Sequence, residues 1–301
     1  MQENQYLEDQ HNTRQGIMLI VVGLTVASFS GAIMKLLSED LNAFQIAWFR
    51  FSGMGFVLFF YFLFRSGSKL QLPRRPVVQV IRGICMAGGT TTFVLGAKTV
   101  DYADAIAILY AYPFLLILIA VLFLGEKASG LLWIGVIAGF AGVLMVMQPK
   151  FNNFNQGHIY ILICALIVAV QMALNRKLGT VSPPLQTAFW GSISASVALT
   201  FLLPINWQAI PSSSWWLIGV LIVSGIINQT MLVFAFSKAN ASTLAPFTYT
   251  ELIAAVLIGF VIFGTLPTWL SWIGIILISV SGLIVARLHS ISALPRRVPR
   301  I

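Results

Sequence analysis

The chain has 301 residues, 58% of them hydrophobic and only 9% charged, with a formal net charge of +9. A soluble domain carries roughly a quarter charged residues, so this composition, with a mean hydropathy of +0.90, excludes both disorder and a soluble enzyme with one apolar patch. Cys85 and Cys164 sit inside apolar runs and the three histidines lack ligand spacing, so neither a disulfide framework nor a metal site is expected.

A bilayer core of ~30 Å is spanned by about 20 mostly apolar residues in a helix. Ten such segments follow one another: 16–37, 43–64, 77–97, 103–124, 130–148, 157–178, 184–203, 214–237, 243–263 and 269–287. The breaks are short and polar, such as Ser38-Glu39-Asp40, Gly125-Glu126-Lys127 and Lys238-Ala239-Asn240, and leave no room for an extramembrane domain. The ~10-residue alternation of an outer-membrane barrel is absent. The sequence therefore predicts an all-α, polytopic membrane protein of ten transmembrane helices. Residues 1–15 hold Glu3, Glu8, Asp9 and Arg14 without an apolar core, which predicts a solvated tail and not a signal peptide. Residues 288–301 form a second, basic tail.

Ten spans put both termini on one side. That side holds thirteen lysines and arginines, among them Arg14, Arg65, Arg74, Arg75, Lys127, Lys238 and Arg296. The other side holds three, Lys35, Lys98 and Lys150, while Arg50 and Arg82 lie within spans. The positive-inside rule then predicts cytoplasmic termini in a bacterial inner membrane. The same placement accounts for the basic charge without a nucleic-acid partner.

The two halves resemble each other. Ala32-Ile33-Met34-Lys35 matches Ala173-Leu174-Asn175-Arg176 at a spacing of 141, and Gln45 matches Gln186 at the same spacing. At a spacing of 139, Tyr110 matches Tyr249, Gly125 matches Gly264, and Trp133-Ile134-Gly135 matches Trp272-Ile273-Gly274. Segments 1–5 (residues 16–148) thus pair with segments 6–10 (residues 157–287). Five is odd, so the second copy enters from the opposite face. Inverted repeats of this kind place a substrate site near the midplane, between halves that rock against each other. That predicts a transporter.

Several pieces carry a family resemblance: Pro113 through Gly125-Glu126, Ala47-Trp48-Phe49-Arg50-Phe51, Arg82-Gly83, and Ala245-Pro246-Phe247-Thr248-Tyr249-Thr250-Glu251-Leu252. Together they resemble the drug/metabolite transporter superfamily, EamA type, in the branch of riboflavin and S-adenosylmethionine uptake carriers. One departure is visible. Glu126 follows Gly125 in the first copy, but Thr265 follows Gly264 in the second.

Ionisable residues inside a span are expensive, so each is a functional candidate. Glu251 lies near mid-depth and could meet a cationic substrate group, carry a coupled proton, or pair structurally with Arg50. Its repeat mate is Tyr112. For Arg50 a structural tie is the more economical reading and carboxylate binding the alternative. Tyr110, Tyr112 and Tyr249 fall on symmetry-related segments that Pro113 and Pro246 interrupt, and interrupted helices in matching halves point to a binding site. Tyr110 and Tyr249 are expected as a stacking pair across the symmetry axis. Thr90-Thr91-Thr92, Gln171 and Asn228-Gln229 add neutral polar groups. From these, Tyr110, Tyr112, Tyr249, Glu251, Arg50, Thr91, Gln171 and Asn228 are expected to line the substrate site. Lys35 and Arg82 read as anchors, and Gly135, Gly139 and Gly142 as a packing face.

No catalytic cluster, metal site, cofactor site or Walker-type loop is recognisable. The expected function is secondary active transport of a small organic metabolite by alternating access, in contact with membrane lipids and with a homodimer left open. The resemblance puts riboflavin uptake first, S-adenosylmethionine uptake second, and amino-acid or drug export third. A channel or non-transporting scaffold is the alternative from another class.

Overall fold

The computed structural model describes residues 2–64, 70–124, 130–148, 154–179, 183–239 and 241–292. All ten apolar segments are helical, and no strand occurs among the described residues. Backbone polar groups find no water in a bilayer core, so a chain this apolar must satisfy them within its own helices. Among the described residues, seven helical stretches are long and apolar enough to cross a membrane, and Phe247–Phe263 and Trp269–Val285 are shorter apolar helices.

The first three helices are α1 (Gln2–Leu37), α2 (Ala43–Phe64) and α3 (Pro76–Ala97). Helix α1 begins at Gln2, so the stretch expected as a tail continues the backbone helix of the first span. The fourth segment is broken into α4 (Tyr102–Leu109) and α5 (Tyr112–Leu124), followed by α6 (Gly130–Met147). Pro113, at the start of α5, has no N–H to give the Leu109 carbonyl one turn back. The ladder tightens there, with the Ala111 N–H donating to the Ile108 carbonyl at 2.9 Å.

The second half repeats the plan with α7 (Gln156–Gly179), α8 (Pro184–Thr200), a short α9 (Leu203–Asn206) and α10 (Trp215–Lys238). Its ninth segment is also interrupted. A single turn, α11 (Ala241–Leu244), passes through a 3-10 stretch (Ala245–Tyr249) into α12 (Thr250–Phe263). Gly264 ends α12 at φ 67°, with its N–H on the Phe260 carbonyl at 3.0 Å and the Thr265 N–H on that of Gly259 at 3.4 Å. The left-handed conformation explains glycine at this position. Helix α13 (Trp269–Ser292) completes the described chain.

Packing follows the repeat. Helix α1 lies on α10 as α3 lies on α7; α2 meets α8, α4 meets α12, and α6 meets α13. Each pairing is either its own mate or the mate of another when the halves are exchanged, which is a pseudo-twofold arrangement. At the α6–α13 crossing the two backbones approach closely. A Cβ on Gly142 would come 2.8 Å from the Gly274 carbonyl oxygen, and one on Gly274 2.6 Å from that of Gly142. Phe114 fills the space beside Gly139, and Val285 that beside Gly135. This glycine face is a scaffold, built by backbone approach and dispersion where water supplies no driving force.

At the bundle face opposite the termini, side chains stitch the halves together. Gln45 donates to the Gln208 carbonyl at 2.8 Å and accepts from the Gln208 N–H at 3.1 Å. Ser214 donates to Asp40 at 2.7 Å, and Gln148 donates to Thr268 at 2.6 Å. Lys35 donates to the Val100 carbonyl at 2.5 Å, with its ammonium 5.3 Å from the Phe263 ring centre.

Candidate functional site

A cavity of about 250 Å³ lies at mid-span between the halves, lined from α1, α2, α3, α4, α7, α10 and α12. Its polar lining is Arg50, Arg82, Thr90, Gln171, Asn228, Gln229 and Glu251. Met34, Met54 and Met86 supply soft thioethers, and Phe51 and Phe93 supply rings. Methionine adapts its shape to what it packs against, which suits a surface that alternately holds and releases a guest. A second, polar cleft of about 430 Å³ sits in the stitched face, among Asp101, Asp104, Gln148, Asn155 and His158. Its lining shares no residue with that of the mid-span cavity.

Arg50 projects from the first half of α2. Its Nη1 lies 3.3 Å from the Met34 sulfur, and its guanidinium carbon 5.8 Å from the Phe51 ring centre. Among the described residues no carboxylate lies within ion-pairing distance of it. A thioether is a weak acceptor, so a five-donor group is left facing the cavity with most of its capacity unused. The structural pair with Glu251 weighed from the sequence does not form. The two groups share the cavity and the field between them, without a direct bond.

Glu251 stands in the first turn of α12, directly after the 3-10 stretch. Its Oε2 is 2.8 Å from the hydroxyl oxygen of Tyr110, which also lies 2.6 Å from the Thr248 carbonyl oxygen. Tyr110 itself is 2% exposed and sits at the break between α4 and α5. It stands behind Glu251 and does not line the cavity. Its ring centre is 5.4 Å from that of Tyr249 at an interplanar angle of 47°, and 5.8 Å from that of Tyr112 at 55°. The expected symmetric pair therefore exists as a tilted contact and not as a stack. Tyr112 and Tyr249 likewise fall outside the cavity lining, and Tyr249 packs toward the backbone of Gly282. The buried Tyr110 and Tyr249 and the partly buried Tyr112 form an aromatic layer between the two helix breaks.

Gln171 and Asn228 line the cavity as expected. The Asn228 Oδ1 is buried without a hydrogen-bond partner, an acceptor awaiting a donor. Thr91 does not line it. One residue of helix turns the side chain by about 100°, so Thr90 takes that face while Thr91 is buried with its Oγ1 unpartnered. Arg82, read as an orientation anchor, is 6% exposed and lines the cavity. Its Nε donates to Asn175 at 2.5 Å and its Nη1 to the Thr187 carbonyl at 3.0 Å, across to the second half. Gly191 leaves the room for it, since a Cβ there would meet the guanidinium. The signal in the sequence was a glycine whose repeat mate is Arg50. Glu126 and Lys127 lie outside the described residues.

The EamA-like transporter family matches this chain twice, over residues 14–148 and 155–287. The chain is 27% identical over 255 residues to a protein named S-adenosylmethionine uptake transporter in Rickettsia prowazekii, covering 84% of this chain and 85% of that one. It is 27% identical over 245 residues to a riboflavin transporter of Rhizobium johnstonii, covering 78% of each. It is 24% identical over 279 residues to the pseudopaline exporter CntI of Pseudomonas aeruginosa, covering 91% of this chain and 96% of that one. A solved crystal structure at 18% identity superposes with a TM-score of 0.63 over 95% of this chain and 99% of that chain. That likeness concerns the fold alone.

Proposed function

We propose, because this chain belongs to the EamA-like transporter family, that it carries a zwitterionic metabolite of the S-adenosylmethionine class across a bacterial inner membrane by alternating access between its halves. The observation that carries this reading is Arg50, a guanidinium in the cavity with a thioether for a neighbour and no ion pair among the described residues. A buried charge without a partner is costly. A substrate carboxylate would supply the missing acceptors in bidentate fashion. Glu251, Gln171 and the open Asn228 acceptor offer the complementary positions for an ammonium, a sulfonium or an amino edge.

Riboflavin, first by resemblance, becomes the second reading. Phe51, Phe93 and the methionines suit a flat ring, and relatives of that name exist. An uncharged ligand would nevertheless leave Arg50 unanswered. The cavity is a little under the ~300–1,000 Å³ typical of ligand pockets, so a substrate of this size requires the halves to part. The bonds from Gln45 to Gln208 and from Ser214 to Asp40 are the ones that opening toward the stitched face would break. The thirteen-to-three distribution of basic residues supports termini in the cytoplasm.

The test is counterflow in proteoliposomes loaded with unlabelled S-adenosylmethionine. Labelled S-adenosylmethionine should accumulate transiently, and excess riboflavin should compete weakly. Competition by riboflavin alone would reverse the order of the two substrates. Linear, non-saturating entry would favour a channel.

A further inference from the structure

The hydrogens around Tyr110 can be counted. Its hydroxyl oxygen lies 2.8 Å from Glu251 Oε2 and 2.6 Å from the Thr248 carbonyl oxygen. A phenol has one hydrogen to donate, and a carbonyl oxygen has none. If Glu251 were ionised, three oxygens would share a single hydrogen, and one of the two short contacts would set lone pair against lone pair. If Glu251 is protonated, the carboxylic acid donates to Tyr110 and Tyr110 donates to Thr248. Every short contact is then a hydrogen bond.

The surroundings agree. Among the described residues no cation lies within ion-pairing distance of Glu251 to hold it ionised, and Arg50 faces it only across the cavity. Besides Arg50, the titratable groups that face it from the packed elements are phenols: Tyr102 on α4, Tyr110 and Tyr112 at the break, and Tyr249 in the 3-10 stretch. Helix α1, packed against α12, lines the cavity there with Ala27, Gly31 and Met34.

We infer that Glu251 holds a proton in this conformation, and that Tyr110 is a positioning residue that ties the presence of that proton to the two helix breaks. When the proton leaves for water in the cavity, the Tyr110 hydrogen turns to the new carboxylate, where a charge-assisted bond is stronger. The Thr248 carbonyl then loses the Tyr110 hydrogen, and the link from the α4–α5 break to the 3-10 stretch opens. Charge at the cavity wall is thereby converted into a change in the backbone contact between the halves. The inference rests on the proposed transport only for the use to which the proton is put.

Infrared spectroscopy of the purified full-length protein, with isotopically labelled glutamate, reads the proton without any substrate. At neutral pH the parent should show a carboxylic-acid C=O band that moves with the glutamate label and in heavy water. The band should be lost in Glu251→Gln and kept in Asp104→Asn. In Tyr110→Phe it should shift and vanish at a different pH, because the acid has lost its acceptor. Absence of a Glu251 band at neutral pH, or a band that Tyr110→Phe leaves untouched, overturns the inference. The labelled parent against Tyr110→Phe suffices if Glu251→Gln does not purify. A band without S-adenosylmethionine counterflow would remove the transport reading and leave the proton site; counterflow without a band would do the reverse.

Discussion

The fourth and ninth segments are the same device built twice and filled differently. Both break near a proline, and both bring a tyrosine, Tyr110 or Tyr249, to the pseudo-twofold axis, where the rings meet at 5.4 Å. Two residues further on the copies part. The first has Tyr112, a ring outside the cavity, and the second has Glu251, whose carboxyl lines it. Symmetry supplies a scaffold with two weak points in register. The departure from symmetry puts a carboxyl on the cavity wall of this membrane transporter.

The largest effect should come from removing that departure. Glu251→Gln is isosteric and, with no ion pair to Arg50 among the described residues, should express and melt like the parent. Gradient-driven uptake in proteoliposomes should collapse to the level seen without a gradient, while exchange persists. Tyr112→Phe should change neither. A Gln variant that unfolds would return Glu251 to architecture.

Next in size is the α6–α13 crossing. Gly142→Ala drives a methyl group against the Gly274 carbonyl and the Ile278 backbone, and overpacking costs about 1–3 kcal/mol. Gly219, on α10 and away from that crossing, has open space where a Cβ would stand, so Gly219→Ala should leave the melting temperature unchanged or raise it slightly. Equal melting temperatures for the two variants would deny the close approach.

A smaller difference should separate the paired tyrosines. Tyr110→Phe removes a hydroxyl bonded to both Glu251 and Thr248 and should lower thermal stability by about 1 kcal/mol. Tyr249→Phe should lower it less, and the Ala variants of both should fare worse because the ring contact goes as well. Smallest of all is the neighbouring threonine pair. Thr90→Val should weaken substrate binding by about 0.5–1.5 kcal/mol if its hydroxyl meets the ligand. Thr91→Val removes a buried hydroxyl without a partner and should be neutral or mildly stabilising.

The fold was legible because a bilayer leaves helices as the way to span it, and ten apolar runs with two internal spacings are long-range signals. The broken segments were legible from Pro113 and Pro246. Cavity-lining residues were legible where polarity alone marks them, as with Arg50, Gln171, Asn228 and Glu251. Azimuth was not legible. In helices apolar all round, no amphipathic stripe tells Thr90 from Thr91, and nothing local reveals that Tyr110 lies behind the cavity wall while Glu251 forms it. Arg82 was misread because depth along a helix says little about the neighbour that faces it. Its access to the cavity depends on Gly191, more than a hundred residues away.

In the proposed transport cycle Arg50 holds the carboxylate of a zwitterion carried between the halves. Its most direct test is the binding of S-adenosylmethionine and of its decarboxylated analogue to the purified parent and to Arg50→Ala. The parent should prefer the carboxylated compound by about 1.5–3 kcal/mol, or roughly 10- to 150-fold, and Arg50→Ala should erase that preference. Equal affinities in the parent, or a preference that survives in Arg50→Ala, would contradict it.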